Sequence, residues 1–338
     1  VSTKRGRETE ADFEAISRIV ARSASPAHVS TRGEKAPESG ERSRPRDREH
    51  PKSTLRSGVG PGGERRPSPS PARAGELGAT LFGATSPRER ALLGAMLECF
   101  ARDRSSYSDV LEWSASGSEA GVDLARFSYA FPPTGRTKAS VGRDVLTLAE
   151  AFGGAARAAA VQALRASASE LVEQVLVGYA RDRGASPRFK LYLQLSPGAG
   201  PAGLALARRV VGARAATRSD HLPLHLLGLD VGEQGLTGAK LYFEAPELEH
   251  PGLGHLGAGL VIHRLRGPDD PSFVEPSELD VSLAGPTLTW PEVGTRLAPH
   301  PVLAALGELS TRFALRPRRL STSLSGAGKL TVYYAQDP

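Results

Sequence analysis

Four segments of this chain share one design. They read ARFSYAFPP (125–133), PRFKLYLQLSP (187–197), TGAKLYFEAP (237–246) and GKLTVYYAQDP (328–338). Each is a β-rich run that carries a cation and a tyrosine, and each closes on proline, which cannot donate to a strand ladder. Self-similarity of this kind marks a repeated structural unit. Periodicity places a helix over Pro87–Arg102, with Ser86 as N-cap and Pro87 in the first turn, then strands near Asp109–Ala115 and Asp123–Phe131. Helices follow over Arg143–Phe152 and Ala155–Glu173, then a hairpin of Val175–Arg181 with Arg188–Leu195. After a helix over Ala202–Ala213 come the pairs Leu224–Val231 with Thr237–Glu244 and Gly259–Arg266 with Glu278–Leu283. A helix over Pro301–Ala314 precedes the last pair, Arg318–Ser323 with Lys329–Tyr334. The unit is helix, then hairpin, five times. Ten sequential antiparallel strands with their helices on one side predict an α+β fold, a closed barrel wrapped in helices. Closure removes the exposed edges and leaves an interior wide enough for a ligand.

Alternation then assigns the two faces. In RFKLYLQL, Arg188, Lys190, Tyr192 and Gln194 point one way, and Phe189, Leu191, Leu193 and Leu195 the other. The apolar set must pack under helices, so the polar set faces the barrel interior. Lys240, Tyr242 and Glu244 oppose Leu241, Phe243 and Ala245 in the same way. Lys329, Thr331 and Tyr333 oppose Leu330, Val332 and Tyr334, and Arg126 and Ser128 oppose Phe127 and Tyr129. A single strand of this kind ordinarily presents its polar face to solvent. Three strands with Lys and Tyr at comparable places, each before a proline, favour a shared interior. Buried cations need partners, and a multiply charged anion such as a diphosphate would supply them.

The charge of the chain sits at one end. It holds 43 Lys+Arg and 37 Asp+Glu, but residues 1–75 carry 16 and 10 of these, so the remainder is neutral. The folded part therefore has no basic excess of the kind nucleic-acid binding uses. Residues 1–79 are rich in Ser, Pro, Gly and Arg. They read as a disordered basic tail with a short helix near Asp12–Arg22, ahead of one domain over residues 80–338. A lone cysteine, Cys99, excludes a disulfide framework and a cysteine-based zinc site. His221 and His225 have helical spacing, but Pro223 lies between them, so they do not read as a metal pair. Neither GxxxxGK[ST] nor GxSxG occurs, and PDD (268–270) reads as a turn. Trp113 follows Glu112 and should point away from the interior. No run approaches the ~20 apolar residues of a membrane span, and no basic-then-apolar segment opens the sequence. A soluble, cytoplasmic protein without membrane or nucleic-acid partners is the expectation.

LEWSAS (111–116) followed by ARFSYAFPP, together with KLYLQLSP, GLDVGEQGLTGAKLYFEAP and KLTVYYAQDP in that order, resembles the aromatic prenyltransferases of the repeated ααββ barrel, nearest their dimethylallyltryptophan synthase branch. The resemblance covers about residues 80–338. It implies metal-independent transfer of a prenyl group, dimethylallyl in that branch, from its diphosphate to an electron-rich aromatic acceptor in secondary metabolism. No cofactor is implied beyond the prenyl diphosphate co-substrate, and the sequence has no DDxxD-type diphosphate–magnesium motif. The resemblance also implies roles. Glu112 would assist deprotonation of the acceptor. Arg126, Lys190 and Lys240 would bind diphosphate; Arg188, which can supply locally the charge that Gly238 lacks, and Lys329, on the inward face by alternation, are expected to join them. Tyr192, Tyr242 and Tyr333 would screen the allyl cation. Two departures stand out: Gly238 occupies a place where the family often has Arg, and the fourth repeat, SELDVSLAGP, offers Asp280 and Ser282 where a Lys-x-Tyr pair would fall. A barrel that binds an anionic isoprenoid or aromatic metabolite without turnover is the competing expectation.

Overall fold

The structure, a computed structural model, describes residues 87–103, 111–118, 121–123, 126–131, 136–166, 171–181, 186–211, 222–265, 278–283, 288–297, 301–313, 315–324 and 329–336. In chain order these form α1 (Pro87–Asp103), β1 (Leu111–Ser118), β2 (Gly121–Asp123), β3 (Arg126–Ala130), α2 (Lys138–Phe152) and α3 (Gly154–Ala166). They continue with β4 (Val172–Ala180), β5 (Arg188–Leu195), α4 (Gly200–Val211), β6 (Leu224–Gly232), β7 (Gly235–His250), β8 (Gly254–Arg264) and β9 (Glu278–Ser282). The chain ends in α5 (Trp290–Arg296), α6 (Pro301–Phe313), β10 (Leu315–Ser323) and β11 (Leu330–Gln336). The expected tail over residues 1–79, its helix near Asp12–Arg22 and the turn at 268–270 lie outside the described residues.

Consecutive strands pair antiparallel, except that β3 pairs with β1 in place of β2, and β11 pairs with β1 to close the ring. Trp113 stands opposite Phe127 on β3 and Ser116 opposite Asp123 on β2, so β2 and β3 flank the same side of β1. Together they act as one interrupted stave of a ten-stranded closed barrel. The expected fold is present.

The alternation rule holds around the ring. Phe127, Tyr179, Phe189, Leu191, Leu193, Leu229, Leu241, Phe243, Val281, Leu320 and Val332 are buried on the outer wall, in one core with the inner faces of the helices. Burying side chains of this size contributes roughly 1.5–3 kcal/mol each before entropy is subtracted. Trp113 packs there, 5.9 Å from the Phe127 ring, and points away from the lumen as expected. Cys99 is buried in the same core. The α1 helix is tied to the wall by a buried Glu89, which accepts from the Tyr179 hydroxyl and pairs with Arg181 at 3.0 Å.

Four expectations need correction. The helix expected over Ala155–Glu173 stops at Ala166, because Val172 pairs with Leu195 in the barrel and ladder pairing overrides local helix preference. Pro246 does not end its strand: β7 runs on to His250, and a register shift between Ala245 and Leu248 absorbs the missing N–H as a bulge. The fourth hairpin then has no helix before it, since β7 turns directly into β8. In that turn His250 Nδ1 accepts from the backbone N–H groups of Gly252 and Leu253, each at 3.1 Å, which leaves Nε2–H to donate to Ser323 O at 3.0 Å. Finally, α5 was unforeseen, although Thr289-Trp290-Pro291-Glu292 is a capping signature. The Glu292 carboxylate accepts from the Thr289 backbone N–H at 2.6 Å.

Candidate functional site

Strand register brings the expected residues onto one inner surface. Glu112 stands opposite Ser128, Ser128 opposite Gly178, Gly178 opposite Lys190, and Lys190 opposite Asp230. The carboxylate of the first hairpin and the lysine of the second therefore share a row. Arg126 and Arg188 share another, with Ala180 between them. Tyr192, Gly228, Lys240 and Arg264 form a third. Tyr333 stands between Arg319 and Ser114. Lys329 lies just before β11, in alternation with Thr331 and Tyr333.

The lumen is not the bare positive cavity that the cations alone suggest. Lys190 Nζ lies 2.6 Å from Asp230 Oδ1. Lys240 Nζ lies 2.9 Å from Glu278, whose other oxygen takes Arg264. Arg319 reaches both oxygens of Glu112, at 2.9 and 3.2 Å, and Ser128 donates to the same carboxylate at 3.3 Å. Arg126 differs in kind. It donates to hydroxyls, to Ser116 Oγ and to Thr331 Oγ1 at 3.5 Å. Burial pushes the Lys190 ammonium below its ordinary pKa, with Asp230 opposing. Burial also lowers Lys240 well below its ordinary value, and the neighbouring Arg264 and Lys190 add to the effect. Asp230 feels the same burial, but the two lysines outweigh it and hold its carboxyl below the usual range. These lysines are poised to gain from an arriving anion.

Sequence reading missed Asp230, Arg264, Glu278 and Arg319. The signal was present on first strands, where Gly228 and Asp230, and Arg319 and Ser321, alternate with buried aliphatic residues, and on β9, the motif-free second strand of the fourth hairpin, where Glu278 and Asp280 do the same. The repeated motif lies on the other strands, so attention to the motif hides them.

Aromatic rings border the charges. Lys190 Nζ lies 5.9 Å from the Tyr192 ring centre, and the Arg319 guanidinium 4.5 Å from that of Tyr333. Tyr192 and Tyr242 meet edge to face at 6.5 Å. With Leu226, Leu260 and Ile262 they form an apolar cluster separate from the outer core. Gly228 makes room for it: a Cβ there would lie 3.0 Å from the Tyr192 ring and 3.4 Å from that of Tyr242. Gly228→Ala should therefore displace Tyr192 and lower stability by about 1–3 kcal/mol in urea unfolding. An unchanged midpoint would mean that the ring moves freely.

Among the described residues, no group of three or more His, Cys, Asp or Glu is placed to hold a metal ion. No described helix is long and apolar enough to cross a membrane.

No protein-family model and no curated protein matches the chain. Solved structures do. The crystal structure of 5-dimethylallyltryptophan synthase from Streptomyces coelicolor superposes with a TM-score of 0.56 at 13% identity, covering 80% of this chain and 98% of that one. Its complex with DMASPP and Trp gives 0.56 at 14% identity, covering 80% and 96%. The 6-dimethylallyltryptophan synthase from Micromonospora olivasterospora, also in complex with DMASPP and Trp, gives 0.51 at 15% identity, covering 79% and 98%. The chain has the fold of the tryptophan prenyltransferases.

Proposed function

We propose that this barrel transfers a prenyl group, dimethylallyl in the first instance, from its diphosphate to an electron-rich aromatic ring. The observation that carries the proposal is the shared lumen row of Glu112 and Lys190, with Tyr192, Tyr242 and Tyr333 on the same inner surface. The reaction needs three things that this surface can supply. As the prenyl C–O bond breaks, the leaving diphosphate gains charge, which Arg126, Arg188, Lys190, Lys240 and Lys329 meet. The allyl cation must be kept from water, and tyrosine faces both exclude water and attract the cation. As the new C–C bond forms, the ring carbon must lose a proton, and Glu112 accepts it. Arg319, bonded to both carboxylate oxygens, positions that base. Binding of a dimethylallyl diphosphate analogue and Trp by the solved relatives is consistent with this pairing of ligands.

One observation favours the alternative of a non-catalytic barrel for an anionic isoprenoid or aromatic metabolite. Lys190 and Lys240 already hold carboxylates, and the fourth hairpin contributes Asp280 and Ser282 to the wall instead of an aromatic residue. Incubation with dimethylallyl diphosphate and a panel of tryptophan, tyrosine, peptides and phenols, read by product mass, separates the two. Transfer predicts a product heavier by one dimethylallyl group, formed equally in EDTA because the cationic side chains carry the diphosphate charge. Tight donor binding without product selects the alternative. Loss of product in EDTA overturns the charge assignment.

A further inference from the structure

Among the described lumen carboxylates, Asp280 differs from Asp230, Glu244 and Glu278, each of which meets a cationic or imidazole side chain. It occupies the centre of β9, opposite Leu260 on β8 and Ser321 on β10. It alternates with Leu279 and Val281, which lie fully buried on the outer wall, so its side chain faces inward. The residue is 1% exposed, and its Oδ1 has no hydrogen-bond partner. A buried carboxylate left in that state is costly. Arg319, the cation that acts most strongly on this carboxylate, already bonds both oxygens of Glu112. Arg319, Lys240 and His225 act on the Asp280 charge across space, Glu112 opposes them, and none of them is bonded to Oδ1. Its neighbour across the sheet, Leu260, belongs to the apolar cluster of Tyr192, Leu226, Tyr242 and Ile262.

We infer that Asp280 is a specificity-determining residue that receives a protonated amino group of the aromatic acceptor. Resting on the transferase reading, the inference narrows the acceptor to aromatic amines. Like charge turns a diphosphate away from this carboxylate. The aliphatic and tyrosine wall suits an aromatic ring, and an ammonium on that ring's side chain would give the carboxylate a bonded cation while filling the vacant acceptor oxygen. A neutral N–H or O–H donor would satisfy the oxygen and leave the charge.

Titration calorimetry with three ligands tests this: tryptamine, tryptophol with a hydroxyl in place of the amine, and 3-ethylindole with neither. The native protein should bind tryptamine at least ~10-fold tighter than the other two, the scale of one charge-assisted hydrogen bond. Asp280→Asn should abolish that preference and leave 3-ethylindole affinity unchanged, and Asp280→Thr should behave alike. Equal affinity for tryptamine and tryptophol in the native protein, no binding of tryptamine, or a preference that survives both substitutions overturns the inference. Its failure is distinct from failure of the transferase reading. Amine-selective binding without prenylated product would sink only the latter, and prenylated product formed equally from all three ligands would sink only the former.

Discussion

Lys190→Ala should slow product formation by about 10²–10³-fold and weaken donor binding, because a charge that meets the diphosphate strengthens its hold as the leaving group ionises. Part of that loss has a second origin. Removing the ammonium leaves the Asp230 carboxylate, 2.6 Å away in the native protein, as an unpaired anion facing the donor. Lys190→Ala combined with Asp230→Asn should therefore bind donor better than Lys190→Ala alone. Glu112→Gln divides the labour differently. It keeps the shape of the side chain but removes the base, which costs about 10²–10⁴-fold in rate, while donor affinity stays near native. Donor affinity and single-turnover rate, measured on all three variants, decide the matter. If Glu112→Gln weakens donor binding as much as Lys190→Ala, the two residues do not address separate substrates. If both single variants turn over normally, neither acts on the reactants.

The contrast between what the sequence told and what it hid has a physical pattern. Second strands of the hairpins were readable because their polar residues are long and their apolar residues bulky. In Arg188–Leu195 the two faces separate cleanly, and the register followed. First strands were harder. Gly178 and Gly228 sit on the lumen face, where Lys190 and the Tyr192 ring press close, and a glycine carries no polarity to read. The closed ring follows from local hairpins, each set by neighbours in sequence. The ion pairs are different. Arg319 meets Glu112 across more than two hundred residues, at the seam where β11 returns to β1 and β10 lies next to it. Only closure of the barrel brings those two side chains together, and no local pattern encodes the meeting. The same holds for Arg126, whose Ser116 partner is local but whose Thr331 partner arrives across the seam. Positive charge in the lumen was thus evident from strand motifs, while the Arg319–Glu112 pair that holds the base was a property of the closed ring.

Charge pairing in the lumen is incomplete at Asp280, and the defect should be measurable as stability. Burial raises the Asp280 carboxyl from 3.8 to about 6, with Arg319 opposing and Glu112 reinforcing the shift. The folded state then binds a proton more tightly than the unfolded chain. Stability from this group is complete below about pH 4 and is lost as pH rises through about 6. A shift of this size corresponds to about 3 kcal/mol. Asp280→Asn carries no such charge, so its stability relative to the native protein should rise by about 2–3 kcal/mol between pH 4 and pH 8. His225, Lys240 and the Arg319–Glu112 pair also act on this carboxyl or lie beside it. They are common to both proteins and largely cancel in the difference. Urea unfolding of the two proteins across that range gives the result directly. A difference that stays flat from pH 4 to pH 8 would mean that the carboxyl titrates in the folded state as it does in the unfolded chain. A stabilising substitution at a lumen residue is what a binding site predicts, since a site tuned to hold a cation is strained when empty. Adding tryptamine at pH 8 should then raise the midpoint of the native protein and leave that of Asp280→Asn much less changed.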